Sequence, residues 1–119
     1  MHQRIPCEVV TLDEYVAKHE ITRLDFMKCD VEGAELLVLR GAEHSLSMGL
    51  RPILLLEVSE ALMRPFGYGP GDLEAFLRRF DYRFYTLTSD GRPQPVESLQ
   101  SVPAEVSFVA AVTEFTDLR

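Results

Sequence analysis

At 119 residues, with 46% hydrophobic and 26% charged side chains, the chain has room for one compact domain, not two, and sits far from the disordered and fibrous classes. A net charge of -7 argues against a nucleic-acid backbone or an anionic membrane surface as the main partner. No apolar run approaches the roughly 20 residues of a membrane span, and the first six residues have no signal-peptide core, so the cytoplasm is the expected compartment.

Ile5 to Val10 is β-rich and reads as a first strand. Thr11-Leu12-Asp13-Glu14 has the form of a capping box, the Thr11 hydroxyl accepting a free amide and Glu14 reaching back, so a short helix should run to about His19. Leu24 to Asp30 is the next strand, and Gly33 to about Ser47 the next helix, with Leu36, Leu39 and Leu46 close together around it and Gly49 as a left-handed stop. Ile53-Leu54-Leu55-Leu56-Glu57-Val58 is nearly continuous in apolar residues, the pattern of a parallel strand covered on both faces.

Ser59 to Gly71 reads as a loop, rich in glycine and proline and carrying Met63, Phe66 and Tyr68. Pro70 suits the first position of a helix whose apolar residues Leu73, Phe76, Leu77 and Phe80 share one face, with Glu74 and Arg78 paired outside. Tyr82 to Thr86 is a strand and Ser89-Asp90-Gly91 a turn. Prolines 93, 95 and 103 should keep most of the following connection irregular, and Val106 to Val112 closes the chain as an apolar strand. Alternating strands and helices predict an α/β fold, mostly parallel, with right-handed crossovers, helices on both faces and an antiparallel final hairpin.

Cys7 and Cys29 are the two cysteines, too few for a disulfide framework or a metal set. Cys29, in mid-strand among apolar neighbours, reads as a small hydrophobe. His44 falls mid-helix and reads as a surface residue. Lys28 should point to the helix-covered side or the strand tip, or else snorkel at the surface.

In open α/β sheets, ligands bind beyond the carboxyl ends of the strands. Asp30 ends one strand and Glu57 the next, Glu32 lies in the turn between strand and helix, and Glu35 follows one helical turn later. If the two strands are adjacent, the acids share a rim. Helix-dipole stabilisation, about 0.3–1 kcal/mol per carboxylate, accounts for acids near a helix start but not for Glu57. The acidic rim is therefore the candidate site. Clustered carboxylates are compatible with a hard cation, but no ligand spacing supports one, and no metal is expected. A phosphoacceptor domain also places an aspartate at a strand end, but it needs a lysine after a late strand, and the only lysines are Lys18 and Lys28.

Four linked blocks carry a resemblance. Thr11-Leu12-Asp13-Glu14-Tyr15, Asp25-Phe26-Met27-Lys28-Cys29-Asp30-Val31-Glu32-Gly33-Ala34-Glu35, Val38-Leu39-Arg40-Gly41-Ala42 and Arg51-Pro52-Ile53-Leu54-Leu55-Leu56-Glu57 together resemble the FkbM family of S-adenosylmethionine-dependent methyltransferases, over roughly Val9 to Glu57. The resemblance implies a Rossmann-like methyltransferase sheet, with strands in the order 24–30, 53–58, 106–112, 82–86. It implies S-adenosylmethionine as cofactor, and transfer of a methyl group to a hydroxyl of a small molecule or sugar. Asp30, Glu32 and Glu57 are then the expected catalytic residues, Asp30 and Val31 the cofactor contacts, and Glu35 a substrate contact; Phe66 and Tyr68, in the loop after Glu57, should line the substrate pocket or else cover the end of the core.

One block of the family pattern is missing. No Gly-x-Gly precedes Asp30, and Gly67-Tyr68-Gly69-Pro70-Gly71 follows the wrong strand and contains a proline. Residues 1–119 are therefore expected to form a single partial methyltransferase domain, the C-terminal half without its glycine-rich cofactor loop. Such a half leaves the Leu24–Asp30 strand with an open edge, a pairing hazard. That edge should be covered by Ile5–Val10 or by a second copy of the chain. The rival expectation is a non-catalytic α/β module serving oligomerisation, or a remnant.

Overall fold

The computed structural model describes residues 3–103 and 108–113. Thr11 opens the first helix as its sequence predicts. The Thr11 hydroxyl accepts the Glu14 amide at 3.0 Å, and α1 spans Leu12–Lys18 with no fully buried residue. Strand β1, Phe26–Cys29, follows. The expected single helix from Gly33 to Ser47 is two, α2 (Glu35–Arg40) and α3 (Glu43–Ser47). The break has a cause elsewhere in the chain. The Asp13 amide donates to the Gly41 carbonyl at 2.9 Å, and the Asp13 carboxylate accepts the His44 and Ser45 amides at 3.0 and 2.8 Å. Those amides need an outside acceptor because a new helix starts there.

Strand β2 is Ile53–Glu57. The stretch expected to be a loop holds helix α4, Glu60–Met63, started by the Ser59 hydroxyl accepting the Leu62 amide at 3.2 Å, and then a tight turn of 3₁₀ helix, Arg64–Phe66. Helix α5 runs Pro70–Arg78 and buries Leu73, Phe76 and Leu77, while Arg78 and Glu74 pair at 3.3 Å on its outer side. Strands β3 (Tyr82–Leu87), β4 (Pro93–Val96) and β5 (Phe108–Thr113) complete the chain. Pro93 and Pro95, expected in irregular chain, lie in β4. That strand is the sheet edge, where a missing N–H breaks no ladder. Of the expected last strand, residues 106 and 107 lie outside the described ones.

The sheet order is β1-β2-β5-β3-β4, so the last strand does insert between β2 and β3. The expectation of a mostly parallel sheet is corrected: β1 and β2 pair parallel, but β2–β5, β5–β3 and β3–β4 are antiparallel. Although β1, β2 and β3 run the same way, β5 enters in the opposite sense and reverses both of its contacts. The register sets Cys29, Leu56 and Val109 in one row, and Met27, Leu54, Ala111 and Phe84 in another. These rows meet Leu36, Leu39, Leu46, Leu73 and Leu77 from the helices in a single core.

The opposite face contributes nothing to that core. There Phe26 is 56% exposed, Lys28 is exposed, and Ile53 and Leu55 are half-buried. The expectation of helices on both faces is therefore corrected: the described helices bury their side chains on one. The apolar run of β2 is alternately buried and half-buried, covered fully on one side only. Nor does Ile5–Val10 form the predicted strand; Ile5 and Val9 are 73% and 92% exposed. Among the described residues, β1 pairs with β2 alone and its outer edge is open.

Candidate acidic site at the ends of two parallel strands

Because β1 and β2 are parallel with Cys29 beside Leu56, the residues that follow emerge side by side. Asp30 and Glu57 therefore meet at one rim. The turn brings Glu32 to them, and one carboxylate oxygen from each of Asp30, Glu32 and Glu57 lies within 4.8 Å of the others. Asp30 and Glu32 are exposed and Glu57 is half-buried.

The turn that presents these acids is tightly built. Glu32 and Gly33 take left-handed conformations, with φ of +53° and +99°. At Gly33 a side chain is excluded twice, because a Cβ would stand 2.1 Å from the Leu62 carbonyl oxygen of α4. Glu35, only 1% exposed, accepts the Val31 amide at 2.9 Å and the Gly33 amide at 3.1 Å. Buried Tyr68 donates its hydroxyl to the Gly33 carbonyl and accepts the Leu36 amide at 3.2 Å.

Packing acids together has an electrostatic result. The Glu57 carboxyl is pushed up to about 7, first by its hydrogen bond with Asp30, then by partial burial, then by the charges of Asp30, Glu32 and Glu35. A carboxyl that shares a proton with a neighbour keeps it to higher pH. Tyr68 is raised above its ordinary value by burial, against the opposing Leu36 amide, and so stays a neutral donor to Gly33. Burial, with the charges of Glu35 and Asp30, pushes the Cys29 thiol up to about 11, as befits an inert core residue.

The structure thus gathers Asp30, Glu32 and Glu57, with Val31 partly exposed beside them. It redirects two of the residues expected to touch substrate. Glu35 spends both carboxylate oxygens on the turn's own amides, and Tyr68 is tied to backbone on both sides, so each is turned inward. Phe66 remains 47% exposed, its ring 6.4 Å from that of Tyr68. Lys28 lies on the helix-free face, its ammonium 5.1 Å from the centre of the Phe108 ring, and His44 is exposed. The three rim carboxylates offer oxygen atoms of the kind hard cations take. Exposed acids often cluster without an ion, nothing else at the rim points to one, and no metal is assigned.

Sequence reasoning missed the bracing roles of Asp13, Leu62 and Tyr68. The only local signal was Glu35, an acid two residues past a turn glycine. Tyr68 is 35 residues from Gly33, beyond any local pattern.

The family model described as "Methyltransferase FkbM domain" covers residues 2–84, a span that holds the whole acidic turn, Glu57, Phe66 and Tyr68. No curated protein and no solved structure is significantly similar to the chain.

Proposed function

The chain belongs to the FkbM methyltransferase family, and we propose that it serves S-adenosylmethionine-dependent methyl transfer to a hydroxyl oxygen of a small molecule or sugar, with Glu57 as the general base. The observation that carries this reading is the meeting of Asp30, Glu32 and Glu57 at the ends of β1 and β2. We also read the sheet as Rossmann-like, on the insertion of antiparallel β5 between β2 and β3.

The residues present suit the cofactor's chemistry. Three carboxylates at one rim form an acceptor-only, negative surface, and S-adenosylmethionine carries a cationic ammonium and a cationic sulfonium. Asp30 would hold the ammonium and Val31 would flank the same portion. When bound, the cofactor supplies an electrophilic methyl group. The chain's part is to place the acceptor hydroxyl against Glu57. Glu57 would take the hydroxyl proton on a carboxylate oxygen as the acceptor oxygen gains the methyl group, which leaves the cofactor as its neutral thioether. A base with a pKa near 7 is about half ionised at neutral pH and still basic enough to take a proton. Glu32 adds negative charge at the same rim, and exposed Phe66 offers an apolar surface to the acceptor.

The test is transfer of an isotopically labelled methyl group from S-adenosylmethionine to a panel of hydroxyl acceptors. The rate should rise with pH through about 7. Glu57→Gln should lose roughly 10²–10⁴-fold and the pH limb with it. Label recovered on nitrogen or carbon, or a pH limb that survives in the variant, contradicts the assignment.

The partners in this reading are a small hydroxylated substrate and a second copy of the chain, with no nucleic acid and no membrane, in a cytoplasmic setting. No described helix is long and apolar enough to cross a membrane. The open outer edge of β1 supports the second copy, whereas the other edge strand, β4, is blunted by Pro93 and Pro95. The same open edge favours the alternative, a non-catalytic α/β oligomerisation or remnant module. A light-scattering mass of one chain, with rapid hydrogen exchange along β1, removes the support for both.

A further inference from the structure

The turn between β1 and α2 has polar backbone groups that would ordinarily face solvent or a ligand. The amides of Val31 and Gly33 both point at one place, the kind of concavity that binds anions. Here the anion is built in, for Glu35 fills it with both oxygens, at 2.9 and 3.1 Å. The Gly33 carbonyl is taken by the Tyr68 hydroxyl. That hydroxyl in turn accepts the Leu36 amide at 3.2 Å, tying the turn to the first turn of α2. Leu62 stands against the bare Cα of Gly33, so the backbone cannot move toward α4. The turn is thus held by its own helix, by α4 and by the segment leading to α5. Its exposed residues are Asp30, Val31 and Glu32.

We infer that Glu35 and Tyr68 are positioning residues, which hold Asp30 and Glu32 against Glu57 by gripping the turn that bears them. The purpose of that placement rests on the general-base reading above, but the placement itself does not. Neither residue touches the rim carboxylates through a hydrogen bond of its own; each acts through the backbone of residues 31 to 33. Left-handed conformations at two successive positions, one of them Glu32, need such over-determination to persist.

Two variants test this without altering charge. Tyr68→Phe removes the hydroxyl, and Glu35→Asp shortens the carboxylate while keeping its charge, so the groups facing Glu57 (Asp30, Glu32 and residue 35) remain acidic. Leu77→Ala, in the core, serves as a control that lowers stability without touching the turn. Two NMR readouts are taken: the titration midpoint of the Glu57 carboxyl carbon, and exchange of the Val31 and Gly33 amides relative to Leu54 and Leu56. In both turn variants the midpoint should fall from about 7 toward the ordinary 4.5, and exchange at residues 31 and 33 should accelerate by about tenfold or more, the loss of one charge-assisted or buried hydrogen bond. The control should leave the midpoint unchanged. A midpoint that stays near 7 in folded Tyr68→Phe and Glu35→Asp overturns the proposal. A wild-type midpoint already near 4.5 sinks the general-base reading instead. Positioning is then decided by exchange: acceleration confined to residues 31 to 36 upholds it, and acceleration that extends equally to Leu54 and Leu56 overturns it.

Discussion

The Asp13 carboxylate accepts both the amide and the hydroxyl of Ser45, at 2.8 and 2.6 Å, and so joins the start of α1 to the start of α3. Burial acts to raise its pKa, but the bonds from the Ser45 hydroxyl and the Ser45 and His44 amides outweigh it, and the net value lies below the ordinary 3.8. This one side chain explains why the helix after the acidic turn breaks where it does.

Replacing it should therefore be costly. Asp13→Ala removes a cap and leaves Ser45 without its acceptor, a loss of about 1–3 kcal/mol, readable in urea unfolding. Because the folded pKa is depressed, the carboxylate's stabilisation is fully present above the unfolded value near 3.8 and is lost as pH falls through the lower folded value. Asp13→Asn should show less acid-induced loss of stability across that window than the wild type.

Gly33 and Gly49 form a matched pair. Both have φ of +99°, but a Cβ at Gly49 meets nothing within 4 Å, whereas one at Gly33 would meet the Leu62 backbone. Gly49→Ala should cost about 1 kcal/mol, from backbone strain alone. Gly33→Ala should cost distinctly more, since α4 or the turn must also shift. Equal melting temperatures for the two variants would contradict the close packing of α4 on the turn.

Glu57 gives a stability profile of opposite sign to Asp13. Its folded pKa is raised, so its protonated form contributes stability that is fully present below the ordinary value of 4.5 and is lost as pH rises through about 7. Wild-type melting temperature should decline over that interval for this reason, and Glu57→Gln should flatten the decline. A variant that declines as steeply as the wild type would mean that the rim acids do not share a proton.

The thiols offer a simple check on burial. Cys7 is exposed and Cys29 buried, with the Cys29 thiol held up to about 11. A thiolate-selective reagent at neutral pH should modify Cys7 alone in the native protein and both residues after unfolding. Native modification of Cys29 would show that the core row of Cys29, Leu56 and Val109 opens readily.

What could be read from the sequence follows the range of the interactions concerned. Helix α5 was legible because Leu73, Phe76 and Leu77 state its buried face and Pro70 its start, all within nine residues. The pairing of Asp30 with Glu57 was legible because strand ends in a parallel pair converge by geometry. The break at Gly41 was hidden because its cause, Asp13, lies on another helix. Ser59 could have announced α4, but the surrounding glycines and prolines masked it. Nothing local distinguishes a pocket aromatic from a core one at Tyr68, because its hydroxyl meets Gly33 from 35 residues away. Coverage was misjudged for another reason: the apolar run from Ile53 to Leu56 says what the strand can bury, and not what chain lies over each face.

The proposed methyl transfer requires the Asp30 rim to receive S-adenosylmethionine. Calorimetric titration of the whole chain with S-adenosylmethionine tests it most directly. Saturable binding is expected, weakened at least tenfold (about 1.4 kcal/mol or more) in Asp30→Asn, which removes the charge and keeps the shape. No binding at millimolar ligand, or equal binding by the Asp30→Asn variant, would contradict it.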